Sequence, residues 1–375
     1  MQSFNRPLKK AHMLRCARNA SLDVLKRVRL RSAIDFSAPR LWDLFDRPEN
    51  LRREESHSEN MFDKKRLILV ALLATVGLAL ADPAVALEKV RVGLSVRNVV
   101  FLPFYYARDT KIYQKHGLEV ELIQMRSDLQ TVGVVSGEID YYPAIGPAIL
   151  AVQGGMPLRA VVVFYRAPLF SLVSQSQLGS PKELEGKKVA VSRIGSDSHR
   201  YAVLMLERSG VDAKKVTFIQ TGNTAVSLTA LQQVSVEAAV LSPPFTGQMA
   251  QKGFKVLAKS RNLIESPWLG LVTSRQKIQR QPAQVKGMIR AVSETLGEIL
   301  REKARVISYI RDSFSVSEPI AAEAYEEIRG VILADLMMPE NRLQEYLEGA
   351  HRRGELNRML QVNEVFDYSL LKEIQ

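Results

Sequence analysis

Four consecutive polar residues, Ser196, Asp197, Ser198 and His199, stand where this sequence could do chemistry. They follow a short apolar run, Val189-Ala190-Val191, and a glycine at position 195. They precede Tyr201, Leu204 and Met205, with Val203 and Leu206 less regularly placed, at helical apolar spacing. The pattern reads as strand, tight turn, helix. The first turn of such a helix carries free N–H donors and the positive end of the dipole. At the carboxyl end of a strand, that is a place to hold a small polar ligand. Ser196, Asp197 or Ser198 can cap the helix by accepting a hydrogen bond from a backbone N–H. His199 is a base by type, but no nucleophile and orienting acid accompany it, so a structural or ligand-touching role is expected. Asp197 has two readings: a cap facing solvent, or a carboxylate pointing into a cleft.

Composition removes other chemistries. The only cysteine is Cys16, so no intrachain disulfide and no Cys/His zinc cluster can form. No metal ligand set and no cofactor are expected. The net charge of +12 suggests nucleic acid until its distribution is read. Residues 1–86 hold 16 Lys/Arg against 10 Asp/Glu, and the remainder holds 36 against 30 over more than three times the length. No basic block interleaved with aromatics occurs in that remainder, so no nucleic-acid partner is expected.

Alternating elements must position the turn. Lys89–Ser95 alternates apolar and polar residues as a first strand does. A loop with Pro103 and a helix at about 105–113 follow, then a strand entered at Gly117. Further strands fit 159–165, 189–191, 215–221, 236–241, 255–258 and 268–273, with helices between. Residues 174–186 read as a linker. In the pair Tyr141-Tyr142 one ring is expected in the core, since strand neighbours alternate faces. Trp268 reads as core packing or a hinge contact. From Pro282 the pattern becomes helical, and Val285, Met288, Ile289, Val292 and Leu296 form a core stripe. Further helices fit 319–330, 340–349 and 355–360. Alternating β and α elements imply an α/β fold with a mostly parallel sheet and helices on both faces.

The stretch from Met61 carries an address. Basic Lys64-Lys65-Arg66 precede a fifteen-residue apolar run, Leu67 to Ala81, and then Ala84-Val85-Ala86. This is the layout of a cleavable signal peptide. The run falls short of the ~20 residues that span a membrane. Cleavage near Ala86 and export are expected. Residues 1–60 are expected to be an extension, either not native or disordered.

In order and spacing the motifs resemble those of the periplasmic solute-binding proteins of ABC importers, of the nitrate/sulfonate/taurine type. The residues that carry the resemblance are Pro103-Phe104 with Ala107, Gly117-Leu118-Glu119-Val120-Glu121 and Gly137-Glu138-Ile139-Asp140. Leu184 to Val191, Gly195 to His199 and the Pro243 region complete it. The resemblance implies a two-lobed type II periplasmic-binding-protein fold, with mixed, mostly parallel sheets and a helical C-terminal tail. Lobe one would be 87–173 plus 267–375, lobe two 174–266. Crossing segments would lie near 165–176 and 260–268. It also implies hinge closure on a ligand held between the lobes. The implied ligand-binding residues are Asn98, Phe101, Tyr142, Ala144, Ser196, Asp197, Ser198, His199, Asn223, Ser242, Pro243 and Phe245.

The expected function is capture of a small organic molecule in the periplasm by a monomer that delivers it to an ABC permease in the inner membrane. Pro143-Ala144 replace small hydroxyl residues usual in oxyanion binders, and Asp197 would repel an anion. The ligand is therefore expected to carry an aromatic or cationic portion. Two rivals remain: a periplasmic sensing module for a membrane receptor, and an enzyme like the thiamine-pyrimidine synthase. The second needs cysteines this chain lacks.

Overall fold

The computed structural model describes residues 86–375. The extension at 1–60 and the signal-peptide segment up to residue 85 lie outside the described residues. In chain order the first group is β1 (Glu88–Leu94), α1 (Leu102–Asp109), α2 (Ile112–Lys115), β2 (Leu118–Gln124) and α3 (Ser127–Ser136). It continues with β3 (Tyr142–Ala144), α4 (Ile145–Gln153) and β4 (Leu158–Tyr165). A second group follows: β5 (Ser171–Ser174), β6 (Lys188–Val191), α5 (Asp197–Arg208), β7 (Thr217–Gln220) and α6 (Thr224–Gln232). Then come β8 (Ala238–Leu241), α7 (Phe245–Gln251) and β9 (Lys255–Lys259). Strand β10 (Leu269–Ser274) and helices α8 (Arg275–Arg280), α9 (Pro282–Arg301), α10 (Lys303–Phe314) and α11 (Glu318–Arg329) lead into the tail. Helices α12 (Glu340–Arg352), α13 (Val362–Val365) and α14 (Ser369–Lys372) end it.

The two groups build the same sheet twice. In the first, β1 pairs parallel with β2, a bridge joins Val92 to Tyr141, and β10 runs antiparallel between β3 and β4. In the second, the order is β7-β6-β8-β5-β9. Strands β6, β7 and β8 are parallel there, and β5 is antiparallel between β8 and β9. In each body the antiparallel strand is the one on which the chain arrives from the other body. Residues 171–174, which the sequence places in a crossing segment and linker, therefore form an inner strand.

Alternate residues of each strand feed opposite cores. Leu172, Val189, Val191 and Val240 pack on one face of the second sheet, while Val173, Ala190, Ala239 and Leu241 pack on the other. The same rule corrects the tyrosine pair. Tyr141 and Tyr142 are both fully buried, because helices cover both faces and each ring enters a different core.

Local chemistry sets the boundaries. Pro103 lies in the first turn of α1, where its missing N–H costs no hydrogen bond. The single helix expected at 105–113 is two, because Lys111 adopts a left-handed φ of 60° between them. The helix expected at 355–360 is absent. Leu356 and Leu360 are buried from an irregular chain instead, and Asn357 N–H donates to Gln153 Oε1.

Gly270 has a specific reason. A Cβ there would lie 1.9 Å from the Val162 carbonyl oxygen, at a register shift between β10 and β4. Backbone atoms cannot rotate away, so the strands would have to part. Gly270→Ala is expected to destabilise the fold by about 2–3 kcal/mol, as overpacking of a tight core does. Urea unfolding of the two proteins measures this.

Candidate functional site

The turn between β6 and α5 is held by its hydroxyls. Gly195 takes a φ of +80°, a conformation that suits glycine. Ser196 occupies the N-cap position, yet its side chain does not cap the helix. Its Oγ donates instead to the Arg193 carbonyl at 2.7 Å. Ser198 Oγ accepts from the Ser192 backbone N–H at 3.0 Å. The Ser192 and Ser198 hydroxyls are 2.7 Å apart, and the Ser196 hydroxyl is 3.0 Å from that of Ser198. The three hydroxyls thus bond one another and the turn itself.

Asp197 opens the helix and points away from solvent. Its carboxylate lies 3.3 Å from Arg200 Nη1. It also sits at the first turn of α4: a Cβ on Gly146 would be 2.5 Å from Asp197 Oδ1. Only glycine admits that approach, and the helix terminus favours the negative charge. Burial nevertheless raises the Asp197 pKa, against the lowering effects of Arg200 and of a hydrogen bond from Trp268. Arg200 continues the chain of contacts. Its Nη2 donates to the Tyr346 hydroxyl at 2.8 Å and pairs with Glu355 at 2.9 Å. Asp197 and Arg200 belong to the second group of elements, Gly146, Tyr346 and Glu355 to the first group and the tail. A second link joins the loops after β1 and β8, where Asn98 Nδ2 donates to Ser242 Oγ at 3.0 Å. Asn98 Oδ1 meanwhile accepts from the Val100 N–H.

These links surround a cavity of about 100 Å³. Eight of the twelve residues expected from the sequence line it: Asn98, Phe101, Ala144, Ser196, Asp197 and Ser198, with Asn223 and Ser242. Four do not. Tyr142 is fully buried in the core, where its hydroxyl accepts from Thr131. His199 lies edge-on against Phe218, with ring centroids 4.6 Å apart, and its Nδ1 accepts from the Gly195 N–H. Desolvation lowers its pKa. Pro243 is buried beside the lining, and Phe245 packs against the core of the second sheet.

Other lining residues were less visible in the sequence. Trp268 and Phe170 form an aromatic wall, their rings 5.5 Å apart. Trp268 also stacks on Tyr165 and Phe170 on Tyr201, so one row of rings follows the crossing segments. Gln130, Ser192 and Arg193 add to the polar part of the lining, with Ser95, Ser127 and Thr224. Ser192 and Arg193 directly follow the strand end at Val191, the one signal that marked them. Among the described residues no group of three or more His, Cys, Asp or Glu is placed to hold a metal ion, and no helix is long and apolar enough to cross a membrane.

Two sheets of matching strand order, two crossing segments and a cavity where the strand ends meet define a two-lobed type II periplasmic-binding-protein fold. The chain belongs to the NMT1/THI5-like family, whose model matches residues 98–303. No curated protein matches it. Solved structures of like fold include the alkanesulfonate-binding protein SsuA from Xanthomonas axonopodis pv. citri bound to MOPS. That match has a TM-score of 0.62 at 16% identity and covers 76% of this chain and 99% of that one. The periplasmic nitrate-binding protein NrtA from Synechocystis PCC 6803 gives 0.65 at 16% identity, covering 76% and 88%. The periplasmic aliphatic sulphonate-binding protein SsuA from Escherichia coli gives 0.58 at 19%, covering 76% and 99%.

Arg200 is the point at which this site can be weakened. Arg200→Met leaves the Asp197 carboxylate buried beside no cation, which is expected to cost about 3 kcal/mol at neutral pH. The sign with pH follows from the raised Asp197 pKa. Protonation favours the folded state, so stability is lost as pH rises from the unfolded value through the folded one. The deficit of the variant should therefore be larger at pH 7.5 than at pH 4.5, measured by urea unfolding at both.

Proposed function

We propose that this protein is an exported solute-binding protein that captures a small organic molecule in the cavity and delivers it to an ABC permease in the inner membrane. The observation that carries the reading is the placement of the cavity. Loops at the carboxyl ends of strands from both sheets line it, which is where open α/β sheets bind ligands. The sulfonate- and nitrate-binding proteins of like fold support the same reading. So does the signal-peptide layout at 61–86, which directs the chain to the periplasm.

In this reading the first sheet, with residues 267–375, is one lobe and the second sheet is the other. Strand β5 counts with the second. The lobes close on the ligand, as hinge proteins do. We read the protein as a binder and not an enzyme. The Ser196 and Ser198 hydroxyls bond one another and Ser192, while His199 turns to Phe218. No base is thus set to activate a nucleophile there. The protein acts as a monomer here, with no nucleic acid and no cofactor.

The test is to denature the natively exported protein and identify by mass spectrometry what it releases. A small organic compound in about equimolar amount is expected. Ala144→Phe, which fills the cavity, should carry none while keeping the parent's circular dichroism. The released compound should raise the parent's unfolding free energy by ~2.7 kcal/mol at a hundredfold excess over its Kd. Turnover of the compound by the protein, or equal amounts on the filled variant, contradicts the proposal.

A further inference from the structure

A crevice of about 310 Å³ lies along the crossing segments. Arg166 and Ala167 reach it from the first segment, Arg261, Ile264 and Glu265 from the second, and Val331 from the chain after α11. None of these residues lines the cavity described above. The two arginines are held by different parts of the chain. Arg166 is tied to the tail: its N–H donates to the Val331 carbonyl at 2.9 Å, and its Nη2 donates to the Gly330 carbonyl at 3.0 Å. Arg261 stands in the turn Ser260–Asn262, directly after β9 of the second sheet.

Charge on the walls is uneven. Glu265 is the one carboxylate of the lining, and it is shared. Arg342 Nη2 lies 3.0 Å from it and Arg166 Nη1 lies 3.8 Å from it. The longer contact is beyond hydrogen-bond reach, so Nη1 can turn to a better acceptor. Two guanidinium groups in the lining, and a third on its carboxylate, leave the crevice positive. The Arg166 side chain is 49% exposed, so an ion can reach it from solvent. Guanidinium forks bind phosphate-like groups through pairs of oxygens. Below the charged rim, Ala167 and Val331 are buried and form an apolar floor with Ile264.

We propose that this crevice is a second ligand site, for a small dianion of the phosphate or sulfate type held between Arg166 and Arg261. The bound anion links the tail to the turn after β9. The site is separate from the cavity and does not depend on what the cavity holds.

The test titrates the full chain and its Ala144→Phe variant, in which the cavity is filled, by calorimetry. The probes are inorganic phosphate, sulfate and glycerol 3-phosphate, at an ionic strength fixed with sodium chloride, and glycerol is the control. In Ala144→Phe, saturable binding of one dianion per chain is expected, and none of glycerol. The three probes separate a free oxyanion from a phosphate ester. Adding Arg166→Gln or Arg261→Gln should each weaken binding by about 10-fold, the worth of one hydrogen bond to a charged group. Arg261→Lys should keep most of the affinity, since the charge remains. Arg261 is a partly exposed turn residue, so its variants should keep the parent's circular dichroism. No saturable binding of any dianion to Ala144→Phe, or affinity unchanged in either glutamine variant, overturns the proposed site. Binding seen in the parent and lost in Ala144→Phe also overturns it, and places the anion in the cavity.

Discussion

The structure depends on one chain of polar contacts made across its two bodies. Asp197 lies against the first turn of α4, Arg200 pairs with it, and Arg200 reaches on to Tyr346 and Glu355. Each link is mostly shielded from water, so each is worth more than a surface pair and each is costly to leave half made. The pairing keeps a carboxylate at the cavity without leaving it unanswered. It also ties α5, which carries the serine turn, to the tail that covers the first sheet. The Asn98–Ser242 bond does the same between the loops after β1 and β8. Both contacts depend on short side chains or glycine where the bodies meet. A larger residue than Gly146 would hold the carboxylate off.

The row Tyr165, Trp268, Phe170 and Tyr201 gives the crossing segments a continuous apolar spine. It explains why Trp268 serves as both wall and packing residue: the indole stacks on Tyr165 and also borders the cavity.

Much of this was legible from residue order. The strands at 88–94, 158–165, 188–191 and 269–274 follow from alternation or from apolar runs, and the turn at 195–198 from its glycine and hydroxyls. What escaped had physical causes. Strand β5 is only Ser-Leu-Val-Ser, too short to show a period, and its identity comes from its two partners in the sheet. Tyr142, which opens β3, and Phe245, which opens α7, neighbour the lining along the chain but pack into cores, since nearness in sequence does not fix where a side chain points. His199 turned to Phe218 for the same reason. Arg193 escaped because its place on the lining depends on how the turn after β6 folds, which spacing along the chain does not fix.

The central claim is that the contacts of Arg200 tie the two bodies together beside the cavity. The most direct measurement is the distance between spin labels on exposed positions of α3 and α6, Val132→Cys and Val226→Cys, in a Cys16→Ser background. The account predicts one narrow distance in this protein, and a longer, broader distribution once Arg200→Met is added. Identical distributions in both would contradict it.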